Sequence, residues 1–142
     1  MKAILFDTDG VLALPEKNFS KHYAESRGLD PAPFGDFFKG VFTKAKLGRA
    51  DLKNLIKDSP DTWHFEDNID DLIKEWFDYE NIANKPLLGI IEDLRKSGVK
   101  CYLATSQEKY RAEYLENVMF KDMLDGFFIS CNLGVDKNDP NF

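Results

Sequence analysis

Cysteine and histidine are scarce in this 142-residue sequence. The two cysteines, Cys101 and Cys131, have no CxxC spacing, and the two histidines, His22 and His64, are isolated. We therefore expect neither a disulfide framework nor a metal site built from thiols and imidazoles. Both cysteines fall in segments that we predict to be buried strands, which is typical of reduced core thiols in a cytoplasmic protein.

Long apolar runs and runs of basic residues are also absent. The first apolar run spans only a few residues before it meets Asp7, so we predict neither a signal peptide nor a membrane-spanning helix. The formal net charge of −6 includes no basic run, which argues against a nucleic-acid partner. A content of 43% hydrophobic and 31% charged residues is typical of a small soluble enzyme with one core and a small insertion.

An apolar segment followed at once by two aspartates opens the chain. Ile4, Leu5 and Phe6 predict a strand buried on both faces of a parallel sheet. Asp7 and Asp9 then lie at its carboxyl end, where open α/β sheets bind their ligands. Residues two apart on an extended chain point to the same side, so both carboxylates can face one substrate, Asp7 as nucleophile and Asp9 as proton donor.

An aspartate-rich turn is the structural alternative for this segment, because aspartate and glycine are common turn residues. A turn, however, needs only one side-chain acceptor. Two like charges this close repel each other and call for a cation or a substrate. The position of the pair directly after a strand therefore favours phosphoryl-transfer chemistry.

Two later segments combine with the first into a recognisable set. One is a predicted strand, Val99–Ala104, that leads into Thr105, Ser106 and Gln107, and the other is Gly134–Pro140. Together with residues 6–12 they resemble the first three motifs of the haloacid dehalogenase superfamily, in its phosphatase form. The interval between the second and third motifs matches one strand–helix–strand unit.

The resemblance implies roles for these residues, and simpler alternatives exist. The Thr105 hydroxyl and the first free N–H groups of the following helix, with Ser106 among them, would hold phosphate oxygens; Thr105 as a plain helix cap is the alternative. Lys137 would place a cation beside the phosphoryl group, and a solvated surface lysine is the alternative. The resemblance also implies Mg²⁺ as the cofactor, bound by Asp7 and the backbone carbonyl of Asp9.

Residues 15–81 read as helices, because apolar residues recur there at helical spacing. The two clearest stretches are Phe34, Phe37, Phe38, Val41 and Phe42, and Ile69, Leu72, Ile73, Trp76 and Phe77. Packing of these faces against one another explains them better than a partner groove or an interfacial membrane helix. A helix opened by Pro86, a strand over 99–104, a helix over 108–117 and a strand over 127–130 follow.

This order predicts an α/β fold, namely a Rossmann-like parallel sheet core with helices on both faces and an inserted α-helical cap. We assign residues 1–13 and 83–142 to the core and residues 14–82 to the cap. In the family, such a cap closes over the site and sets substrate choice, which makes Arg49 a candidate cap contact. An exposed arginine at a helix start is the interpretation that we prefer for this residue.

A fourth, acidic motif that provides a further carboxylate to Mg²⁺ is also implied. The stretch Phe65–Asp71 is acidic, but it precedes the second motif and follows no apolar strand, so we interpret Asp67 as a helix N-cap instead. No other candidate occurs up to Phe142, and we expect an incomplete core with an open edge at the first strand. Asn138 replaces the proline that usually follows the lysine, which loosens that loop.

These observations predict a Mg²⁺-dependent phosphatase that hydrolyses a small phosphorylated metabolite through an aspartyl-phosphate intermediate. Two alternatives remain open. One is a sugar-phosphate mutase of the same superfamily, and the other is a truncated, catalytically incompetent fragment that acts as a binding or interaction module. The expected partners are the metabolite and a second copy bound through the exposed sheet edge, with no nucleic acid and no membrane.

Overall fold

A three-stranded parallel sheet organises the computed structural model, which describes residues 1–142. The strands are β1 (Ala3–Phe6), β2 (Lys100–Thr105) and β3 (Gly126–Ile129). They lie in the order β1-β2-β3, with Phe6 paired to Leu103 and Thr105 paired to Ile129. Because all pairs are parallel, the carboxyl ends of the three strands meet at the same end of the sheet.

Nine α-helices complete the fold. In chain order they are α1 (Phe19–Arg27), α2 (Ala32–Lys39), α3 (Phe42–Lys46), α4 (Leu52–Lys57), α5 (Pro60–Trp63), α6 (Ile69–Glu80), α7 (Lys85–Lys96), α8 (Lys109–Tyr114) and α9 (Ser130–Leu133). A π-helical turn, Leu115–Met119, continues α8. None of these helices has both the length and the apolar character needed to cross a membrane. The predicted fold class, an α/β protein with a parallel sheet flanked by helices, is confirmed.

The face of the sheet that carries Cys101 and Leu103 is its buried face. Both side chains are fully buried in a cluster with Ile91 of α7 and with Leu115, which follows α8. Alternate residues of a strand point to opposite faces, so Tyr102 belongs to the other face of the sheet. There its ring packs against the Phe128 ring, with 5.6 Å between the ring centroids, and Phe128 remains 42% exposed.

Strand β1 is much more exposed than the sequence predicts. Ile4 and Leu5 keep 38% and 60% of their surface exposed, whereas three consecutive apolar residues predict burial on both faces. Burial on both faces is wrong because β1 forms one edge of the sheet, as the expected open edge implies, and because Leu5 pairs with Tyr102 on the face that the Cys101 cluster does not cover. One side of its backbone therefore has no neighbouring strand. Only Phe6 packs against the buried cluster.

Residues 14–82, which we call the helical insertion, contain α1–α6 and have an aromatic core of their own. Phe19 and Trp63 are fully buried. The Phe19 ring stacks on Trp76 at 5.6 Å, and Phe34 meets Trp63 edge to face at 5.0 Å. Such offset and edge-to-face pairs are favourable beyond the area that they bury. The prediction that these aromatic faces pack against one another is confirmed.

One predicted helix is divided in two. The spacing from Phe34 to Phe42 predicts a continuous helix, but α2 ends at Lys39 and α3 begins at Phe42. Gly40 lies between them with φ −99° and ψ −106°, and its N–H donates to the Asp36 carbonyl at 2.8 Å. A Cβ at this position would lie 2.8 Å from the same oxygen, so the break requires glycine.

Two further local predictions are wrong. Asn68, not Asp67, caps α6, because the Asn68 side chain accepts a hydrogen bond from the Asp70 N–H at 2.8 Å. Cys131 lies in α9 and not in a strand, since the chain leaves β3 after Ile129 and turns at once into a short helix. Both cysteines are free thiols.

The helical insertion joins the sheet region through a short bridge. Ala13 pairs with Ala83, and the Asn84 side-chain amide donates to the Val11 carbonyl at 2.9 Å. Ala13 belongs to the cluster beneath the sheet, whereas every fully buried member of the aromatic cluster lies between residues 19 and 77. These observations support the division of residues 1–13 and 83–142 from residues 14–82, which we retain as a proposal.

The open edge of β1 leads us to expect self-association, because unpaired backbone groups beside exposed apolar side chains can pair with another chain. At high micromolar concentration, light scattering should detect dimers or larger species. Leu5→Lys should restore the monomer, since a charged side chain on an edge strand opposes pairing. Val118→Lys, at another exposed apolar position, is the matched control. A monomeric wild-type chain would contradict this expectation.

Candidate active site

Asp7 and Asp9 lie where β1 ends. The Asp7 carboxylate is half-buried and accepts a hydrogen bond from the N–H of Thr8 at 2.8 Å, and Thr8 is completely buried. The Thr8 carbonyl in turn accepts a hydrogen bond from the Ala13 N–H at 2.8 Å. Gly10 has a φ of +77°, a conformation that glycine adopts at little cost. This turn leaves Asp9 exposed beside Asp7.

The loop after α9 brings Lys137 to Asp7. The ammonium group of Lys137 pairs with the Asp7 carboxylate, and the Lys137 N–H donates to the Ser106 hydroxyl at 3.1 Å. Ser106 follows β2 directly. These two contacts therefore join the three segments that the sequence analysis selected as motifs.

Thr105 is buried at the carboxyl end of β2, but it does not cap a helix. The cap of α8 is Glu108, whose carboxylate accepts hydrogen bonds from the N–H groups of Tyr110 at 2.9 Å and Arg111 at 2.5 Å. Two N–H groups at the start of α8, those of Tyr110 and Arg111, are thus already bonded to a side chain of the protein, and the role of Thr105 and Ser106 stays a prediction. The Ser106 N–H, in contrast, donates to no group of the protein.

Gln107 is a site residue to which the sequence analysis assigns no role. Its side-chain amide donates to the Asp9 carboxylate at 2.8 Å. Its backbone N–H donates to the Ser130 hydroxyl at 3.1 Å, and that hydroxyl donates to the Lys46 carbonyl at 2.6 Å. Gln107 lies two residues after Thr105, and alternate residues of an extended segment point to the same side. This spacing was the sequence signal that could have placed Gln107 in the site.

A cavity of about 600 Å³ opens beside Asp9, between the end of the sheet and the helical insertion. Asp9, Ser106 and Gln107 line it from the sheet side. The helical insertion contributes polar and aromatic side chains, among them Lys17, Lys46, Glu80, Phe38 and Trp76. The volume lies within the range of roughly 300–1,000 Å³ that is common for small-molecule sites.

Glu80 is a largely buried carboxylate in the wall of this cavity, with 14% of its side chain exposed. It accepts a hydrogen bond from the Phe19 N–H at 3.0 Å and lies 3.7 Å from the Arg111 guanidinium. Burial raises the pKa of Glu80, and the Asp9 carboxylate adds to the rise, while the Phe19 N–H and Arg111 oppose it. Arg111 is itself 3% exposed, and its two terminal nitrogens have no hydrogen-bond partner.

Helix α8 carries further contacts to the helical insertion. The Tyr110 hydroxyl donates to the Asp51 carboxylate at 2.5 Å, and this hydrogen bond, followed by burial, raises the pKa of Tyr110 to about 12. Glu108 is buried beside these groups. Burial raises the pKa of Glu108 to about 7, although the N–H groups of Tyr110 and Arg111 oppose the rise. The start of α8 is therefore a place where the stability of the fold depends on pH.

Arg49 and the acidic stretch 65–71 lie outside this site. Arg49 is exposed, donates to the Gly134 carbonyl at 3.4 Å and does not line the cavity. Its exposure agrees with the interpretation that we preferred, but it does not start a helix, since α4 begins at Leu52. Asp67 and Asp71 line a separate cavity. No group of three or more histidine, cysteine, aspartate or glutamate side chains in the structure could hold a metal ion.

Comparison with known proteins found matches only among solved structures, since no protein-family model and no curated protein matches the sequence. The haloacid dehalogenase (HAD) family enzyme bt-2542 from Bacteroides thetaiotaomicron matches with a TM-score of 0.76 at 13% identity, over 99% of this chain and 73% of that chain. Its wild-type complex with magnesium and inorganic phosphate matches with a TM-score of 0.75 at 13% identity, over 99% and 74%. A predicted HAD-like family hydrolase from Porphyromonas gingivalis matches with a TM-score of 0.67 at 19% identity, over 98% and 71%.

Structural matches at sequence identities this low show that the fold is shared, and they show no more than the fold. The chain therefore has the HAD-like fold that the sequence resemblance implies, and this expectation is confirmed. The roles of Asp7, Asp9, Thr105, Ser106 and Lys137 are a separate question, and they stay predictions.

Titration of Glu108 predicts that stability falls as pH rises. Its folded pKa of about 7 exceeds the ordinary value of 4.5, so between these values the folded chain holds a proton that the unfolded chain has released. The stabilisation is complete below the ordinary pKa and is lost as pH rises through the folded pKa. From about pH 5 to about pH 8, the free energy of unfolding should fall by up to about 3 kcal/mol more in wild type than in Glu108→Gln.

Chemical denaturation at each pH measures this difference. Glu113→Gln, an exposed position on the same helix, is the matched control and should follow the wild-type profile. Parallel profiles for wild type and Glu108→Gln would show that Glu108 ionises normally in the folded chain.

Proposed function

We propose that this chain is a Mg²⁺-dependent phosphatase of the HAD superfamily that hydrolyses a small phosphorylated metabolite, with residues 14–82 as a helical cap. The contact of Lys137 with Asp7, tied to Ser106 through the Lys137 N–H, is the observation that carries the proposal. A carboxylate, a cation and a free N–H group thus lie together at the end of a parallel sheet where ligands bind, and this arrangement supports a role for Asp7 as the nucleophile. The complex of bt-2542 with magnesium and inorganic phosphate supports this chemistry.

The proposed reaction has two displacement steps at phosphorus. Asp7 attacks the phosphorus atom, the bond to the leaving oxygen breaks, and protonated Asp9 gives that oxygen its proton. The Asp9 carboxylate then removes a proton from water, the water oxygen attacks phosphorus, and Asp7 is released with inorganic phosphate. The hydrogen bond from Gln107 orients Asp9 for both proton transfers.

Charge on the transferred phosphoryl oxygens needs fixed donors nearby. The Lys137 ammonium group, the Ser106 N–H and the Thr105 hydroxyl are the donors that we assign to this role. Asp9, Ser106 and Gln107 also line the cavity, so the leaving group would occupy the cavity while the phosphate stays at Asp7.

The oxygen donors at the end of β1 fit Mg²⁺, which prefers hard oxygen ligands and retains several waters. The Asp7 carboxylate is half-buried and therefore accessible, and the carbonyl oxygen of Asp9 accepts no hydrogen bond from the protein. These are the two groups that would hold the ion. When bound, it would supply positive charge against the phosphate oxygens.

A catalytically incompetent binding module is the second candidate function, and one observation favours it. No third acidic side chain joins Asp7 and Asp9 in a metal-binding cluster. Few carboxylates mean weak Mg²⁺ binding, and a phosphatase of this type depends on the ion. A sugar-phosphate mutase would use the same nucleophile and differs from the phosphatase in the acceptor of the phosphoryl group.

Replacement of the nucleophile tests the enzyme proposal. Asp7→Asn should lower p-nitrophenyl phosphate hydrolysis by about a thousandfold or more, because an amide cannot form the aspartyl phosphate. Asp9→Asn should also be severely impaired, but it should still accumulate aspartyl phosphate, since p-nitrophenolate leaves without a proton. Phosphate release and acid-quenched labelling measure the two effects. Asp36→Asn, at an exposed position, is the control, and full activity in Asp7→Asn would overturn the mechanism.

Magnesium affinity tests the ligand assignment. Isothermal titration should show weak binding by the wild-type chain, because one carboxylate and one carbonyl provide little anionic charge. Asp7→Asn should abolish the signal, and added inorganic phosphate should strengthen wild-type binding, because its oxygens complete the coordination sphere. Tight binding that survives Asp7→Asn would place the ligands elsewhere, with Asp67 and Asp71 as the first candidates.

A further inference from the structure

The cavity beside Asp9 carries an excess of negative charge. Asp9, Glu16 and Glu80 line it together with two cations, Lys17 and Lys46. Each lysine is already paired with a carboxylate that does not line the cavity. Lys17 lies 2.6 Å from Glu25, and Lys46 lies 3.4 Å from Asp136. Arg111 likewise faces Glu80 at 3.7 Å, so each of the three cations at this wall already faces one carboxylate, and Asp9 and Glu16 add negative charge that no cation offsets.

Glu80 is the member of this wall whose position is fixed. The Phe19 N–H holds one of its carboxylate oxygens at 3.0 Å, and the buried Arg111 guanidinium lies 3.7 Å from the other. Phe19 belongs to α1 and Arg111 to α8, so two elements hold the carboxylate from different sides. A carboxylate held in this way cannot turn away from an incoming anion, and it remains an acceptor for a ligand that donates hydrogen bonds.

An aromatic surface completes the cavity. Phe38 and Trp76 both line it, and their rings meet edge to face at 5.8 Å and 88°. Aromatic faces pack against aliphatic C–H groups and attract cations, but they offer nothing to an anion. The aromatic surface and the carboxylates therefore both favour a leaving group that is neutral or cationic over one that is anionic.

We propose that the cavity selects phosphate monoesters whose leaving group donates hydrogen bonds from hydroxyl or ammonium groups and carries no second anionic group, with Glu80 as the specificity-determining acceptor. This inference rests on the proposed function for the identity of the reacting end. The two proposals concern different atoms of the substrate, because Glu80 would contact the leaving group and Asp7 would attack phosphorus.

Three esters with one carbon skeleton test the selection. Glycerol 3-phosphate, its 1-amino-1-deoxy analogue and 3-phosphoglycerate differ only in a terminal hydroxyl, ammonium or carboxylate group. Their dissociation constants are measured by calorimetry with the Asp7→Asn chain, which cannot turn them over. The first two esters should bind about tenfold or more tightly than 3-phosphoglycerate, because a like charge beside Glu80 is unfavourable.

A second substitution in the same chain assigns the effect to Glu80. Glu80→Gln keeps the size of the side chain and an acceptor oxygen but removes the charge, so the preference should narrow to about twofold. Because this change also removes the counter-charge of the buried Arg111, circular dichroism verifies the fold, and the double variant Glu80→Gln/Arg111→Met, which leaves no buried charge unpaired, should narrow the preference in the same way. Glu75→Gln is the matched control, because Glu75 lies on the same helix, is exposed and pairs with Arg27 at 3.1 Å. It removes the same charge outside the cavity and should leave the tenfold preference intact.

The outcomes separate this inference from the proposed function. Equal affinity for the three esters, no binding of any of them, or an unchanged preference in Glu80→Gln would overturn the selection by Glu80. Failure of the wild-type chain to hydrolyse either p-nitrophenyl phosphate or glycerol 3-phosphate would overturn the phosphatase proposal instead. In that case a tenfold binding preference that narrows in Glu80→Gln would still establish the selectivity of the cavity.

Discussion

The ion pair between Lys137 and Asp7 is the contact on which the candidate active site depends. It joins two side chains that are 130 residues apart in the chain. Lys137 and Asp7 keep 37% and 33% of their side chains exposed, so the pair itself adds little to stability. It forms because three parallel strands bring their carboxyl ends together. The sheet thus determines the geometry, and the ion pair places a cation where the proposed phosphoryl transfer would need one.

Helix α8 connects the candidate active site to the helical insertion. Tyr110 binds Asp51, and Arg111 pairs with Glu80, so both contacts cross from the sheet region to the insertion. A buried guanidinium needs a counter-charge, because loss of its partner leaves an uncompensated charge in the interior. Since Glu80 also lines the cavity, the ion pair that helps to hold the insertion in place also sets the charge of the cavity.

The features predicted correctly from the sequence are those that depend on short-range patterns. Helical periodicity located the aromatic core around Trp76, and the apolar run before Asp7 located the first strand. The failures have equally local causes. Gly40 breaks a helix through one backbone hydrogen bond to Asp36, and Asn68 caps α6 in place of its neighbour. Adjacent residues with similar propensities compete for such positions, and the pattern alone does not separate them.

The sequence by itself determined the types of element, the α/β class and the candidate residues for the proposed reaction, because periodicity and residue type are local properties. Only the tertiary structure decided that Gln107 binds Asp9 and that Glu80 and Arg111 meet beside the cavity. Each of these depends on which distant segments become neighbours. Burial and charge pairing follow from those neighbours, and no single segment contains that information.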